Sequence, residues 1–140
     1  MTRVLVADAE KFWRETTQAI LEEKGYQVDA LDDYADLRKA LSKNPDIILL
    51  GFPIIGPHEA DIVQSTLEAC PKSVILVFST SWLITQSTRR QLMKLGVADV
   101  GGRPGNSDEL IRLIEQELAI KNDELGSLSS YARFRLFGAD

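Results

Sequence analysis

The residues able to do chemistry in this sequence are few, and their scarcity already limits the reactions open to it. There is one histidine, His58, and one cysteine, Cys70. A lone cysteine cannot form an intramolecular disulfide or a multi-cysteine zinc site, and a lone histidine removes most catalytic triads and histidine-rich metal centres. His58 stands between Pro57 and Glu59 and reads as a solvated loop residue. Cys70 shares an apolar stripe with Thr66 and Leu67 and reads as core filler, with only Lys72 near enough to activate it. What remains is a set of residues that each follow a short apolar run: Asp8, Ala9 and Glu10 after RVLVA, Gly51 after IILL, Ser79 after VILVF, and Arg103 in GGRP. A carboxylate in such a place can hold a cation or cap the next helix, while a hydroxyl and a guanidinium can grip an oxyanion.

These residues act together only if the ends of the apolar runs converge. The runs 3–7, 47–50 and 74–78 are apolar throughout, as strands covered on both faces must be, whereas 26–30 alternates and 97–101 is a weaker strand. Helical spacing fills the gaps. Trp13, Thr17, Ile20 and Leu21 form a stripe in 10–24 that Gly25 stops. Leu37, Ala40 and Leu41 form another, capped by Asp32 or Asp33 and ended at Asn44-Pro45, and Ile62, Val63, Thr66, Leu67 and Cys70 a third, closed by Pro71. Residues 83–95 read as a helix ending at Gly96. Asn106 with Glu109 reads as a capping box opening a last helix, with Leu110, Ile111, Ile114 and Leu118 inward. Five strands alternating with five helices predict an α/β fold: a parallel sheet with right-handed crossovers, helices on both faces and ligand chemistry at the strands' carboxyl ends. The domain is expected over 1–120. Residues 121–140 form a C-terminal tail whose Leu128, Tyr131, Phe134, Leu136 and Phe137 are too apolar for a solvated linker, so it should dock on some surface.

The 140 residues are 44% hydrophobic and 26% charged, which suffices for one domain with its own core and requires no structural staple. A net charge of −5 repels phosphate backbones and anionic membranes, so neither nucleic acid nor a membrane is an expected partner. The longest apolar stretch, 47–56, is too short to cross a bilayer and contains Pro53, and the N-terminal sequence is not a signal peptide. With the single cysteine, this reads as a cytoplasmic protein.

In order and spacing, VLVADAE, PDIILLGFPIIG, VILVFSTS and GVADVGGRPGNSDEL resemble the receiver domain of two-component response regulators across about 3–118. The resemblance implies a flavodoxin-like (βα)5 three-layer sandwich that accepts a phosphoryl group from a histidine kinase onto an aspartate. It further implies Mg²⁺ held by an acidic pair, a hydroxyl on the phosphoryl oxygens and a lysine that neutralises charge. Carried over position by position, most of these parts are replaced. Gly51 stands where the acceptor aspartate should be, Asp8 survives from the acidic pair but is followed by Ala9 and then Glu10, and Arg103 replaces the lysine. Ser79 takes the hydroxyl position, with Thr80 or Ser81 as neighbouring registers, and Val100 replaces the aromatic that turns on phosphorylation. Ile54-Ile55 replaces a methionine-proline pair, and Glu59 a glycine. One firm carboxylate is a poor Mg²⁺ site. The expectation is a pseudo-receiver lacking the phosphoacceptor, with no metal, no cofactor and no enzymatic activity.

Two readings of Arg103 stay open: it pairs with Asp8 across the vacated site, or it reaches solvent beside Pro104. Asp8 itself reads equally as the N-cap of the first helix. Trp82 and Ile84 gather bulky apolar side chains where a receiver's output face begins, and Arg89, Arg90 and Lys94 on the fourth helix oppose Glu115 and Glu117 beside Arg112 on the fifth. The expected interaction face is therefore Trp82, Ile84, Arg90, Lys94 and Val100. The expected function is protein–protein recognition in a two-component-type pathway, with a signalling kinase, an effector or a second copy as partner. The alternative is an anion or small-metabolite sensor that uses the vestigial pocket of Asp8, Ala9, Glu10, Gly51, Ser79 and Arg103.

Overall fold

A computed structural model describes residues 1–80 and 84–122. Strands β1 (Arg3–Ala7), β2 (Gln27–Leu31), β3 (Ile47–Phe52), β4 (Val74–Ser79) and β5 (Asp99–Gly102) alternate with helices α1 (Lys11–Glu23), α2 (Leu37–Leu41), α3 (Pro57–Ala69), α4 (Gln86–Leu95) and α5 (Ser107–Asn122). The strands pair in parallel in the order β2-β1-β3-β4-β5, the flavodoxin-like arrangement expected from the sequence. The chain winds outward in both directions from β1 and β3, and that reversal leaves a crevice at their carboxyl ends.

The two-sided core follows from the period of the strands. Leu5, Ile48, Leu50, Phe52, Ile75 and Val77 face α2, α3 and α4, while Val4, Val6, Ile47, Leu49, Leu76 and Phe78 face α1 and α5. The central strand β3 is buried at all six positions. Each of its large apolar side chains contributes about 1.5–3 kcal/mol by leaving water. Gly25 and Gly96 carry the positive φ that ends α1 and α4, as their positions predict.

Several boundaries differ from the sequence reading. Helix α1 is capped by Glu10, whose carboxylate accepts from the Trp13 N–H at 2.6 Å, so Asp8 is not its cap. Asp36, with no side-chain cap bond, precedes α2, and Asp33 instead closes a local turn onto the Ala35 N–H. His58 lies in the first turn of α3 rather than in a loop, because Pro57 is tolerated at a helix start where no N–H partner is needed. The α4 cap is Thr85, and Trp82 and Leu83 lie outside the described residues. Asn106 accepts from the Glu109 N–H at 2.9 Å, but the Glu109 carboxylate returns to the Gly105 N–H, so only half of the capping box forms as read. Lys121 and Asn122 belong to α5, and the rest of the tail, 123–140, lies outside the described residues. No helix among the described residues is long and apolar enough to cross a membrane.

Candidate functional site

The β1/β3 register sets Ala7 beside Leu50. The next step places Asp8 beside Gly51, on the side of the sheet that faces α1 and α5. Across the other edge of β3, Gly51 pairs with Phe78. Arg103 enters the same crevice directly after β5.

The crevice is filled rather than open. Asp8 is only 2% exposed, and the Arg103 side chain 15%. Arg103 Nη2 donates to both carboxylate oxygens of Asp8 at 2.7 Å, and the Glu10 N–H donates to Oδ1 at 2.9 Å. Arg14 donates to the Asp8 carbonyl at 2.9 Å, which ties α1 to the same loop. A Cβ placed on Gly51 would lie 1.8 Å from Asp8 Oδ2. Real Cβ atoms never approach so closely, so Gly51 is the residue that lets the Asp8 carboxylate occupy this space. Of the two readings of Arg103, pairing with Asp8 is the one observed.

The pair is roofed by an aromatic stack. The Arg103 guanidinium lies over the Trp13 ring at 5.1 Å, and Trp13 meets Phe78 edge-on at 5.6 Å. A buried guanidinium is stabilised by such a ring face when water is excluded. Arg103 Nε is buried with no hydrogen-bond partner among the described residues, a cost that an ion pair with well-placed donors can absorb. Below the site the Tyr34 hydroxyl reaches the Gly51 carbonyl at 2.6 Å and the Ala7 carbonyl at 3.3 Å, while its ring stacks on Phe52. Burial, with the nearby negative charges of Asp8 and Glu59, pushes the Tyr34 hydroxyl well above its ordinary range, and Arg103 only partly opposes this.

Not every residue singled out from the sequence arrives here. Asp8, Gly51 and Arg103 converge, while Ala9 is exposed beside them and Glu10 is engaged as a helix cap. The side of Gly51 that was expected to be empty is filled by Asp8. Ser79 pairs in register with Phe52 and so shares the opposite face of the sheet, where its hydroxyl donates to the Pro53 carbonyl at 3.2 Å. The β4 residue in register with Gly51 is Phe78, which has no hydroxyl. Trp13, Tyr34 and Phe78 went unread as site residues. Trp13 carried a weak signal, one turn after the acidic cap of α1.

On the expected interaction face, Arg90 and Lys94 are exposed on α4 and Ile84 is half-buried against the core. Val100 is 2% exposed and packs in the core, so it cannot contribute surface. Glu117, expected on a solvated face, is 7% exposed. Arg89 turns inward, with Nε on the Val100 carbonyl and Nη2 on Asp99, both at 3.0 Å.

The Mg²⁺ that a receiver-like fold implies does not fit these residues. Both Asp8 oxygens are held by Arg103, Ala9 offers no second acid, Glu10 is turned to its own helix, and Gly51 has no oxygen to give beyond its carbonyl. Among the described residues no group of three or more His, Cys, Asp or Glu side chains could hold a metal ion.

No protein-family model matches the chain, and no curated protein matches it by sequence. Solved structures match it by shape. A response regulator receiver domain protein (CheY-like) from Methanospirillum hungatei superposes with a TM-score of 0.74 at 16% identity, covering 89% of this chain and 98% of that one. A response regulator from Thermotoga maritima gives 0.75 at 17% identity over 85% and 98%. The beryllofluoride-activated NtrC4 receiver domain dimer gives 0.74 at 23% identity over 86% and 99%. At such identities the likeness is one of fold.

Proposed function

We propose that this chain is a receiver-like module that cannot be phosphorylated, and that it works by protein recognition in a two-component-type pathway from one fixed conformation. The observation that carries this reading is the Asp8 carboxylate, which Arg103 neutralises and which sits where a Gly51 side chain would have to be. Phosphoryl transfer onto a carboxylate needs a nucleophile at the end of β3, a free acidic pair for the metal, and a cation left available for the transferred group. Here the nucleophile is missing, and the surviving acid and the cation satisfy each other. Asp46 offers no substitute acceptor, since it precedes β3 at the far end of the sheet and accepts from the Arg3 N–H. No catalytic role follows from this arrangement. The anion-sensor alternative loses its main donor for the same reason, because Arg103 is already committed to Asp8.

Recognition then falls to surface that a fixed core presents. Arg90 and Lys94 supply exposed positive charge on α4, on a chain that is acidic overall, which favours an acidic patch on the partner kinase, effector or second copy. The test is an amide NMR titration with Mg²⁺ and beryllofluoride, a phosphoryl mimic. Unmoved resonances at Asp8, Gly51 and Arg103 are expected, whereas saturable shifts there would overturn the reading and favour the anion sensor.

A further inference from the structure

A second concavity lies across the sheet from Trp13, between α2 and α3. Helix α2 is only five residues long, so it covers α3 over little more than one turn and leaves a groove of about 300 Å³. That volume is at the lower end of the range that small-molecule sites occupy. Leu37 and Leu41 from α2 and Ile62 from α3 give it apolar walls. Tyr34 lines it as well, fixed by its hydroxyl bond to the Gly51 carbonyl and its stack on Phe52. Charges of both signs open on this one space, Arg38 from α2 and Asp61 from α3. Neither side chain has an ion-pair or hydrogen-bond partner among the described residues, and they do not pair with each other. His58 and Ser65, one turn to either side of Asp61 on the same face of α3, add further hydrogen-bonding groups.

We propose that this groove binds a free amino acid with an apolar side chain, of the size of leucine or phenylalanine. The side chain lies against Leu37, Leu41 and Ile62, the carboxylate on Arg38 and the ammonium on Asp61. Charge complementarity singles out this class. An apolar carboxylate would leave Asp61 facing it, and an apolar amine would leave Arg38 facing it, whereas a zwitterion answers both. The guanidinium is a planar fork that takes a carboxylate through two N–H groups, and its long stem lets it fold onto a ligand from the opposite wall. The walls are in place beforehand, because Leu37 and Leu41 are buried in the core and Tyr34 is tied to the backbone, so binding orders little of the protein. Both charges stay in contact with water, which keeps the affinity modest, with a Kd of roughly 1 mM. The groove shares only Tyr34 with the surroundings of Asp8 and Arg103, so binding here does not depend on whether the chain can be phosphorylated.

The test is a methyl and amide NMR titration of the full chain with leucine, phenylalanine and three probes that each lack one part: isocaproate without the ammonium, isoamylamine without the carboxylate, and glycine without the apolar side chain. Saturable shifts of the Leu37, Leu41 and Ile62 methyls are expected with leucine or phenylalanine, with binding about three- to tenfold weaker for isocaproate and isoamylamine and none for glycine. Arg38→Gln should abolish the preference for leucine over isoamylamine, and Asp61→Asn the preference over isocaproate. Both side chains are exposed, so both variants should keep the parent's spectral dispersion. Unmoved methyls, or shifts confined to another surface, would overturn the proposal. So would isocaproate or isoamylamine binding as tightly as leucine, which would reduce the groove to an apolar cleft or assign it a ligand of one charge. Preferences that survive Arg38→Gln and Asp61→Asn would also overturn it.

Discussion

Two carboxylate–cation pairs stand at opposite ends of one sheet, built from the same chemistry in different surroundings. At the carboxyl end, Asp8 and Arg103 meet at 2.7 Å with side-chain exposures of 2% and 15%, under an aromatic roof. At the amino end, Asp46 and Lys121 meet at 3.2 Å with exposures of 39% and 25%. Water screens the second pair and has been removed from the first. The buried pair therefore couples β1, β5 and α1 and makes each partner indispensable to the other, whereas the exposed pair is nearly interchangeable with solvent.

The contrast is broken most severely by Asp8→Ala, which strands a guanidinium in the crevice. A loss of about 3–5 kcal/mol is expected in urea unfolding, and the double variant Asp8→Leu, Arg103→Met should lose less than Asp8→Ala alone. A double variant at least as unstable as the single one would show that the charges are not what binds this end. Next in size, Gly51→Ala should cost about 1–3 kcal/mol by forcing Asp8 aside. Repeated in the Asp8→Ala background, the same change should cost much less, and simple additivity would deny the steric coupling.

Tyr34→Phe removes the hydroxyl bond to the Gly51 carbonyl and should cost about 1 kcal/mol at neutral pH. Its pH dependence carries a sign. Burial, then the charges of Asp8 and Glu59, raise the hydroxyl above its ordinary value, so its stabilisation is complete below about pH 10 and is lost as pH climbs toward the raised folded-state value. Alkaline melting curves should fall more steeply for the parent than for Tyr34→Phe. The smallest effect belongs to the exposed pair. Burial opposes ionisation of Asp46, but the Arg3 N–H, the Lys121 ammonium and the chain's amino group outweigh it and hold the carboxyl below its ordinary value. Its contribution is therefore present above about pH 4 and lost as pH falls through the lowered value. Asp46→Asn should flatten this acid limb, shifting stability at neutral pH by about 0–1 kcal/mol. A larger shift would erase the distinction between the two ends.

Much of the fold was readable because strand and helix periods leave a direct imprint on residue order. The uninterrupted run IILL announces a strand buried on both faces, and Gly25 and Gly96 announce helix ends. Errors arose where a local signal had more than one outlet. Asp8 and Glu10 both suit a helix cap, and which of them serves was settled by Arg103, 95 residues away, claiming Asp8. Val100 and Glu117 fit a surface face by sequence position, yet both are buried. Ser79 sits one residue from the useful register, and in a strand one residue is the difference between faces.

By itself, the sequence determined the parallel α/β architecture, the convergence of strand ends on one crevice, and the absence of a nucleophile at Gly51, since each depends on residue type and short-range spacing. Only the tertiary structure decided that the crevice is filled. That outcome required the β1/β3 register to set Asp8 beside Gly51, the β5 exit to aim Arg103 at it, and α1 to lay Trp13 over the guanidinium. Side chains so far apart along the chain meet through sheet order and helix packing, and neither is written in any local stretch of residues.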